Sequence, residues 1–293
     1  MIYLFLCIIS STLIFVIFKF LGRLQIPVLP VIIYNYLTAS LLGFIITGNK
    51  LSSTLGGEKS WLPLSLIIGV LFILMFFIIG KSSEKAGLSI TTVASKMSVV
   101  SPIIFSIIID PLDEVTILKI AGVIIALLAV FLTIYKKRTL DLDSQAIIYP
   151  VALFFGMGIV DSLVKLAQMT YIGEGDLAIF TAVLFLIAFL TGIVYILISH
   201  NKFNVLFSSK AFIWGFLLGI SNFGSIYFII KALNYQGPQG KIIDGSIVFG
   251  VNNTGIVVLS VILGFLIFRE KLRNINYLGI FLALIAIIIF AYA

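Results

Sequence analysis

The chain has 293 residues, 61% of them hydrophobic and 11% charged, and its 19 basic and 12 acidic side chains are too few to cover a water-facing surface, because soluble domains carry about a quarter charged residues. One Cys (Cys7) and one His (His200) exclude an internal disulfide and His-rich metal sites. The net charge of +7 would point to nucleic acid in a soluble chain, but here it asks which face of a bilayer holds the cations.

A helix needs about 20 mostly apolar residues to cross the hydrocarbon core. Ten runs qualify in chain order: 2–20, 29–47, 62–80, 88–109, 115–135, 146–168, 177–199, 211–231, 245–267 and 275–292. The first lacks the basic start and small-residue cleavage site of a signal peptide, so it is read as a span. Loops are short and no Gly-x-x-x-x-Gly-Lys-[Ser/Thr] sequence occurs, which argues against ATP-driven work by this chain alone. Lys and Arg divide twelve to five between the two sets of loops, with Lys19, Arg23, Lys81, Lys85, Lys136, Lys137, Arg138, Lys202, Lys210, Arg269, Lys271 and Arg273 on the richer side. The positive-inside rule makes that side cytoplasmic and puts both termini outside.

Ten spans invite a search for two halves. Asp113-Glu114-Val115 followed by Gly122-Val123-Ile124-Ile125-Ala126 lies without a gap over Glu270-Lys271-Leu272 followed by Gly279-Ile280-Phe281-Leu282-Ala283. The same register sets Ser89 over Ser246 and Lys96 over Asn253, and a looser one sets Lys19 over Lys165. A unit with an odd number of spans enters the membrane in opposite senses in its two copies, so the repeat is inverted. The expected fold is all-α and integral to the membrane, with ten transmembrane helices as two inverted five-helix repeats around a central cavity. The first repeat covers 1–137, a linker 138–145, and the second repeat 146–293.

An acidic residue nine positions before a glycine that opens an Ala-rich last helix, once in each half, resembles the EamA-like families of the drug/metabolite transporter superfamily. The matching residues are Asp113 with Gly122 and Glu270 with Gly279, and the resemblance runs the length of the chain. The first copy reads Asp113-Glu114 where Glu-Lys/Arg is commoner in the family. The resemblance implies a cavity walled by the first, third, fourth, sixth, eighth and ninth helices, buttressed by the fifth and tenth. It also implies transport of amino acids, other small metabolites or drugs.

Ionisable groups inside a span are costly and usually face a wet cavity or the bundle interior. Lys96 lies eight residues into the fourth span, roughly 12 Å along it by the rise per residue, with Thr92 and Ser95 spaced to share its face. It is either a cation for an anionic group of a substrate or half of a structural pair with an acid on a neighbouring helix. Asp161, the one carboxylate well inside a span, is four residues before Lys165. The two are read as an i,i+4 ion pair, or Asp161 is a proton carrier or partner for a substrate amine, or it pairs with Lys96 until substrate arrives. Lys19 and Lys165 lie near span ends, where long stems snorkel. Asn252 and Asn253 stand between Gly250 and Gly255 in the ninth span, and Asn222 and Tyr227 in the eighth are further cavity residues. Gly215-x-x-x-Gly219 reads as helix packing, Tyr34 and Asn35 as interfacial, His200 as solvated, and Asp110, Asp113 and Glu114 as a solvated turn.

The leading reading is a secondary transporter, without catalytic residues, metal or cofactor, moving a small polar metabolite by alternating access. An amino acid or other carboxylate is the central expectation, followed by organic anions or phosphorylated metabolites. Its partners are the substrate, the lipid bilayer and protons or an exchanged solute, in a monomer or homodimer of a bacterial cytoplasmic membrane, with no nucleic acid. The rivals are an intramembrane aspartyl enzyme using Asp110 and Asp161, which would need two carboxylates sharing a proton, and a non-transporting scaffold or channel.

Overall fold

The computed structural model describes residues 2–48, 60–109, 116–134, 145–170, 177–198, 208–233 and 245–292. Asp110, Asp113, Glu114, His200 and residues 138–144 of the linker lie outside these, as do the side chains of Lys165 and Ser246. The loop cations Lys50, Lys59, Lys136, Lys137, Arg138, Lys202 and Lys241 lie outside them too.

The described residues are all-helical. In chain order the helices are α1 (Ile2–Arg23), α2 (Val28–Thr47), α3 (Leu62–Lys85), α4 (Leu88–Met97), α5 (Val100–Ile109) and α6 (Ile117–Ile134). They continue with α7 (Gln145–Thr170), α8 (Leu177–Ile198), α9 (Ser209–Leu233), α10 (Gly245–Leu266) and α11 (Asn274–Tyr292). Six of them, α1, α2, α3, α7, α8 and α9, are long and apolar enough to cross a membrane by length and composition, while α6, α10 and α11 carry shorter apolar stretches. Pro30 and Pro63 sit in first turns, whose N–H groups have no intrahelical acceptor to lose, whereas Pro150 lies inside α7.

Large apolar side chains crowd the outside as well as the inside. Phe5, Ile67, Phe131, Phe155, Phe212 and Phe281 are each more than half exposed. Water would penalise such a surface and lipid would not, so the protein reads as an integral membrane protein. In lipid, apolar burial does little to hold one helix to another, and close contact through small residues does more. Gly215 packs against Val31 and Tyr34 of α2, and Gly219 against Asn35 and Thr38, so the Gly-x-x-x-Gly pair is a packing seam between α9 and α2.

The second seam joins α6 and α11 antiparallel along their length. Ala126, Ala129, Ala283 and Ala286 have no exposed surface. Gly122 lies against Phe290, and Gly279 lies so near Ala129 that an added Cβ would come within 2.9 Å of its carbonyl oxygen. Asn276 locks the end of this pair by donating its Nδ2 to the carbonyls of Thr133, at 2.9 Å, and Leu132, at 3.2 Å. The glycine and alanine positions of the two sequence copies thus meet each other across the molecule.

The predicted fourth span, 88–109, is corrected to two helices, α4 and α5, interrupted at Ser98–Val99. Covalent structure supplies the reason. Pro102 has no N–H to return to the Ser98 carbonyl four residues back, and that carbonyl instead accepts the Ser101 N–H at 2.9 Å in a tighter turn. The Ser98 hydroxyl bonds the Ser95 carbonyl at 2.6 Å. A non-helical stretch at membrane depth is tolerated where it lies inside protein or beside a wet cavity.

Around the break, α4 packs on α7 and α10, and α1 runs between α9, α10 and α3. The helices α2 and α8 pack together and against α9 and α3. Asn35, expected at the interface, is instead fully buried in α2, and neither polar atom of its side chain has a hydrogen-bond partner among the described residues. Its neighbour on α9 is a glycine, and that close helix contact draws it inward.

Candidate functional site

α4 carries four hydroxyls in ten residues, and two of them serve nearby backbone. Thr91 and Thr92 donate to the carbonyls of Gly87 and Leu88 at 2.7 and 2.9 Å. Such back-bonding lets polar side chains sit in a buried helix at low cost, and Thr92 and Ser95 are both buried. Lys96 has no such partner among the described residues.

Lys96 sits just before the break and stays partly accessible although it lies deep in the bundle. Asp161 of α7 acts on it electrostatically, and the Cys7 thiol of α1 lies nearby. Asp161 is likewise deep and only partly covered, and it accepts the Ser98 hydroxyl at 3.2 Å. Gly158, three residues earlier on α7, packs against Ser98 and Ser101, so the break and Asp161 are held against each other. Cys7 contacts Ser11 and donates to the Ser225 carbonyl of α9 at 3.2 Å.

Lys96 and Asp161 influence one another but do not touch. Among the described residues no carboxylate approaches the Lys96 Nζ within 4.0 Å. A lysine in hydrocarbon costs from about 3 to above 10 kcal/mol unless solvated or paired, so this cation demands water or an anion. Further polar capacity lies on two of the helices packed against α1. Asn222 of α9 and Asn252 of α10 are buried, and the Asn222 Nδ2 and Asn252 Oδ1 have no partner among the described residues. Asn253, the counterpart of Lys96 in the repeat register, is half-buried.

Tyr227 sits in an aromatic ladder on α9, stacked on Phe223 at 5.7 Å, with the Lys231 ammonium 5.6 Å from its ring centroid. Beside those contacts it keeps part of its surface exposed. Lys165 belongs to α7, but its side chain is outside the described set, so its pairing with Asp161 stays a sequence expectation. Among the described residues no three His, Cys, Asp or Glu side chains gather to hold a metal ion.

A second polar cluster was not foreseen in the sequence. Lys19, expected to snorkel, instead pairs with Glu270 at 3.3 Å and donates to the Ser83 carbonyl at 3.0 Å. Glu270 in turn accepts from the backbone N–H groups of Leu88 and Ser89 and from the Ser89 hydroxyl. The sequence signal was present in the repeat, whose acidic residue falls just before the last helix of each half.

No family model matches the chain. A protein of Haemophilus influenzae described as uncharacterized is 28% identical over 287 residues, covering 96% of this chain and 94% of that one. A solved crystal structure of a protein with 12% identity covers 97% of both chains with a TM-score of 0.58. That likeness concerns the fold alone.

Proposed function

We propose that the chain is a secondary transporter of the EamA-like kind, moving a small solute with at least one negative group by alternating access between its two halves. Ten spans, with α4 and α5 together forming the fourth, make two inverted five-helix repeats, 1–137 and 146–293. The neighbour pattern supports this. Exchanging the halves turns the α2–α9 contact into α8–α3, α1–α9 into α7–α3, and α1–α10 into the contact of α7 with α4 and α5. The α6–α11, α2–α8 and α4–α10 contacts map onto themselves. A broken helix facing the centre is the usual way such proteins expose polar groups at membrane depth.

The single observation that carries the substrate class is Lys96, a cation inside the bundle with no carboxylate in contact among the described residues. Amino acids and other carboxylates fit it best, since Asp161 stands near enough to meet an amine or to carry a proton. Organic anions and phosphorylated metabolites come next. The protein works without catalytic residues or cofactor, in a bacterial cytoplasmic membrane with both termini outside, as a monomer or homodimer. Flux in proteoliposomes tests this across amino acids, carboxylates and organic phosphates, with and without a pH gradient. Saturable movement of an anionic or zwitterionic solute is expected; absence of flux for every class would remove the transporter reading.

A further inference from the structure

Glu270 is held as few carboxylates on a turn are held. The turn from α10 to α11 reverses through Arg269, a non-glycine residue at φ 51°, a conformation that costs about 1 kcal/mol or more. The reversal is closed by the Glu270 N–H bonding the Gly264 carbonyl at 3.0 Å. That strain aims the Glu270 side chain at the start of α4, whose first N–H groups lack intrahelical acceptors and carry the positive end of the helix dipole. Ser89 adds its N–H at 3.1 Å and its hydroxyl at 2.9 Å.

Two glycines make the room. Gly87 has φ 103°, and a Cβ there would come within 2.7 Å of the Glu270 Oε1; a Cβ on Gly264 would come within 2.8 Å of the Oε2. Lys19, at the far end of α1, completes the cluster. It spans from Glu270 to the Ser83 carbonyl in the last turn of α3, where a cation is favoured. One turn further on, Arg23 donates to the Phe268 carbonyl at 2.6 Å and lies 4.8 Å from the Phe268 ring. Thus the end of α1, the end of α3, the start of α4 and the α10–α11 turn, drawn from both halves of the chain, are fastened at one point.

The helix contacts are lopsided in the same sense. α1 packs on α3 and α4, whereas α7, its counterpart in the other half, makes no comparable contact with α9 or α10 among the described residues. We propose that the Lys19–Glu270 pair on the α4 N-terminus is a latch that closes this face of the bundle and must open for solute to pass. The proposal rests on the transporter reading for its purpose, but the opening itself can be measured without transport.

Ser83 is the reporter, because it has no exposed surface and its carbonyl accepts the Lys19 bond. In a Cys7→Ser background, Ser83→Cys is to be labelled with a water-soluble maleimide in liposomes permeable to it. Glu270→Gln, which keeps the shape and removes the charge, should speed labelling by about tenfold, the scale of losing a charge-assisted hydrogen bond. Lys19→Met should do the same. Arg269→Gly, which suits the turn, should not. Unchanged labelling in both Glu270→Gln and Lys19→Met, in protein that stays monodisperse, would overturn the latch. Faster labelling in a protein that moves no solute would uphold the latch and remove only the transport reading.

Discussion

Two charges inside this protein are treated in opposite ways. Glu270 is met by an ammonium, two backbone N–H groups and a hydroxyl, so its valences are spent within the fold. Lys96 lies deep between α1, α4 and α7 with Asp161 in electrostatic reach and, among the described residues, no carboxylate in contact. A charge whose hydrogen-bonding capacity is filled by its own chain holds helices together, and one left open deep in the bundle is available to something that comes and goes. That contrast separates a fastening from a binding site more surely than the residue types do.

The contrast can be broken most severely at Lys96. Lys96→Ala should lower solute flux by about a hundredfold, as expected from losing charged hydrogen bonds worth roughly 3 kcal/mol, while size-exclusion behaviour stays that of wild type. A matching loss of folded protein would instead make Lys96 a structural partner. Asp161→Asn sharpens the assignment. Uptake driven by an imposed pH gradient should fall several-fold while exchange of the same solute persists, and an intact pH-gradient response would remove Asp161 as the proton carrier.

At the α6–α11 seam the expected effect is on stability alone. Gly279→Leu drives atoms into Ala129 and Thr133, and overpacking of this kind costs about 1–3 kcal/mol. Thermal unfolding in detergent should shift down, with the flux per folded molecule unchanged. The smallest effect belongs to Lys81→Ala. Its pair with Glu84 at 3.1 Å is about a third exposed on both sides, against 15% and 9% for Lys19 and Glu270. Surface pairs contribute at most about 1 kcal/mol, so neither stability nor labelling at Ser83→Cys should change measurably.

Much of the helical layout was legible, because a membrane helix must be apolar along its whole length and the runs have visible ends. Lys96 and Asp161 stood out for the same reason, as charges in apolar runs. What stayed hidden depended on contact between distant residues. Leu88 and Glu270 are 182 positions apart, and no local pattern says that an acid late in the chain caps a helix near its beginning. Lys19 looked like any lysine near a span end until Glu270 and Ser83 were beside it, and Asn35 looked interfacial until Gly219 drew α9 against it. The break at Ser98–Val99 was readable in principle, since Pro102 stands four residues beyond Ser98, but the continuous apolar run through α5 masked it.

Counterflow in proteoliposomes tests the central claim most directly, because it requires binding and reorientation but no net driving force. Wild-type protein loaded with an unlabelled carboxylate or amino acid should concentrate the labelled solute, and Lys96→Ala, equally folded, should not. Counterflow by Lys96→Ala at the wild-type rate would contradict a substrate anion bound at Lys96.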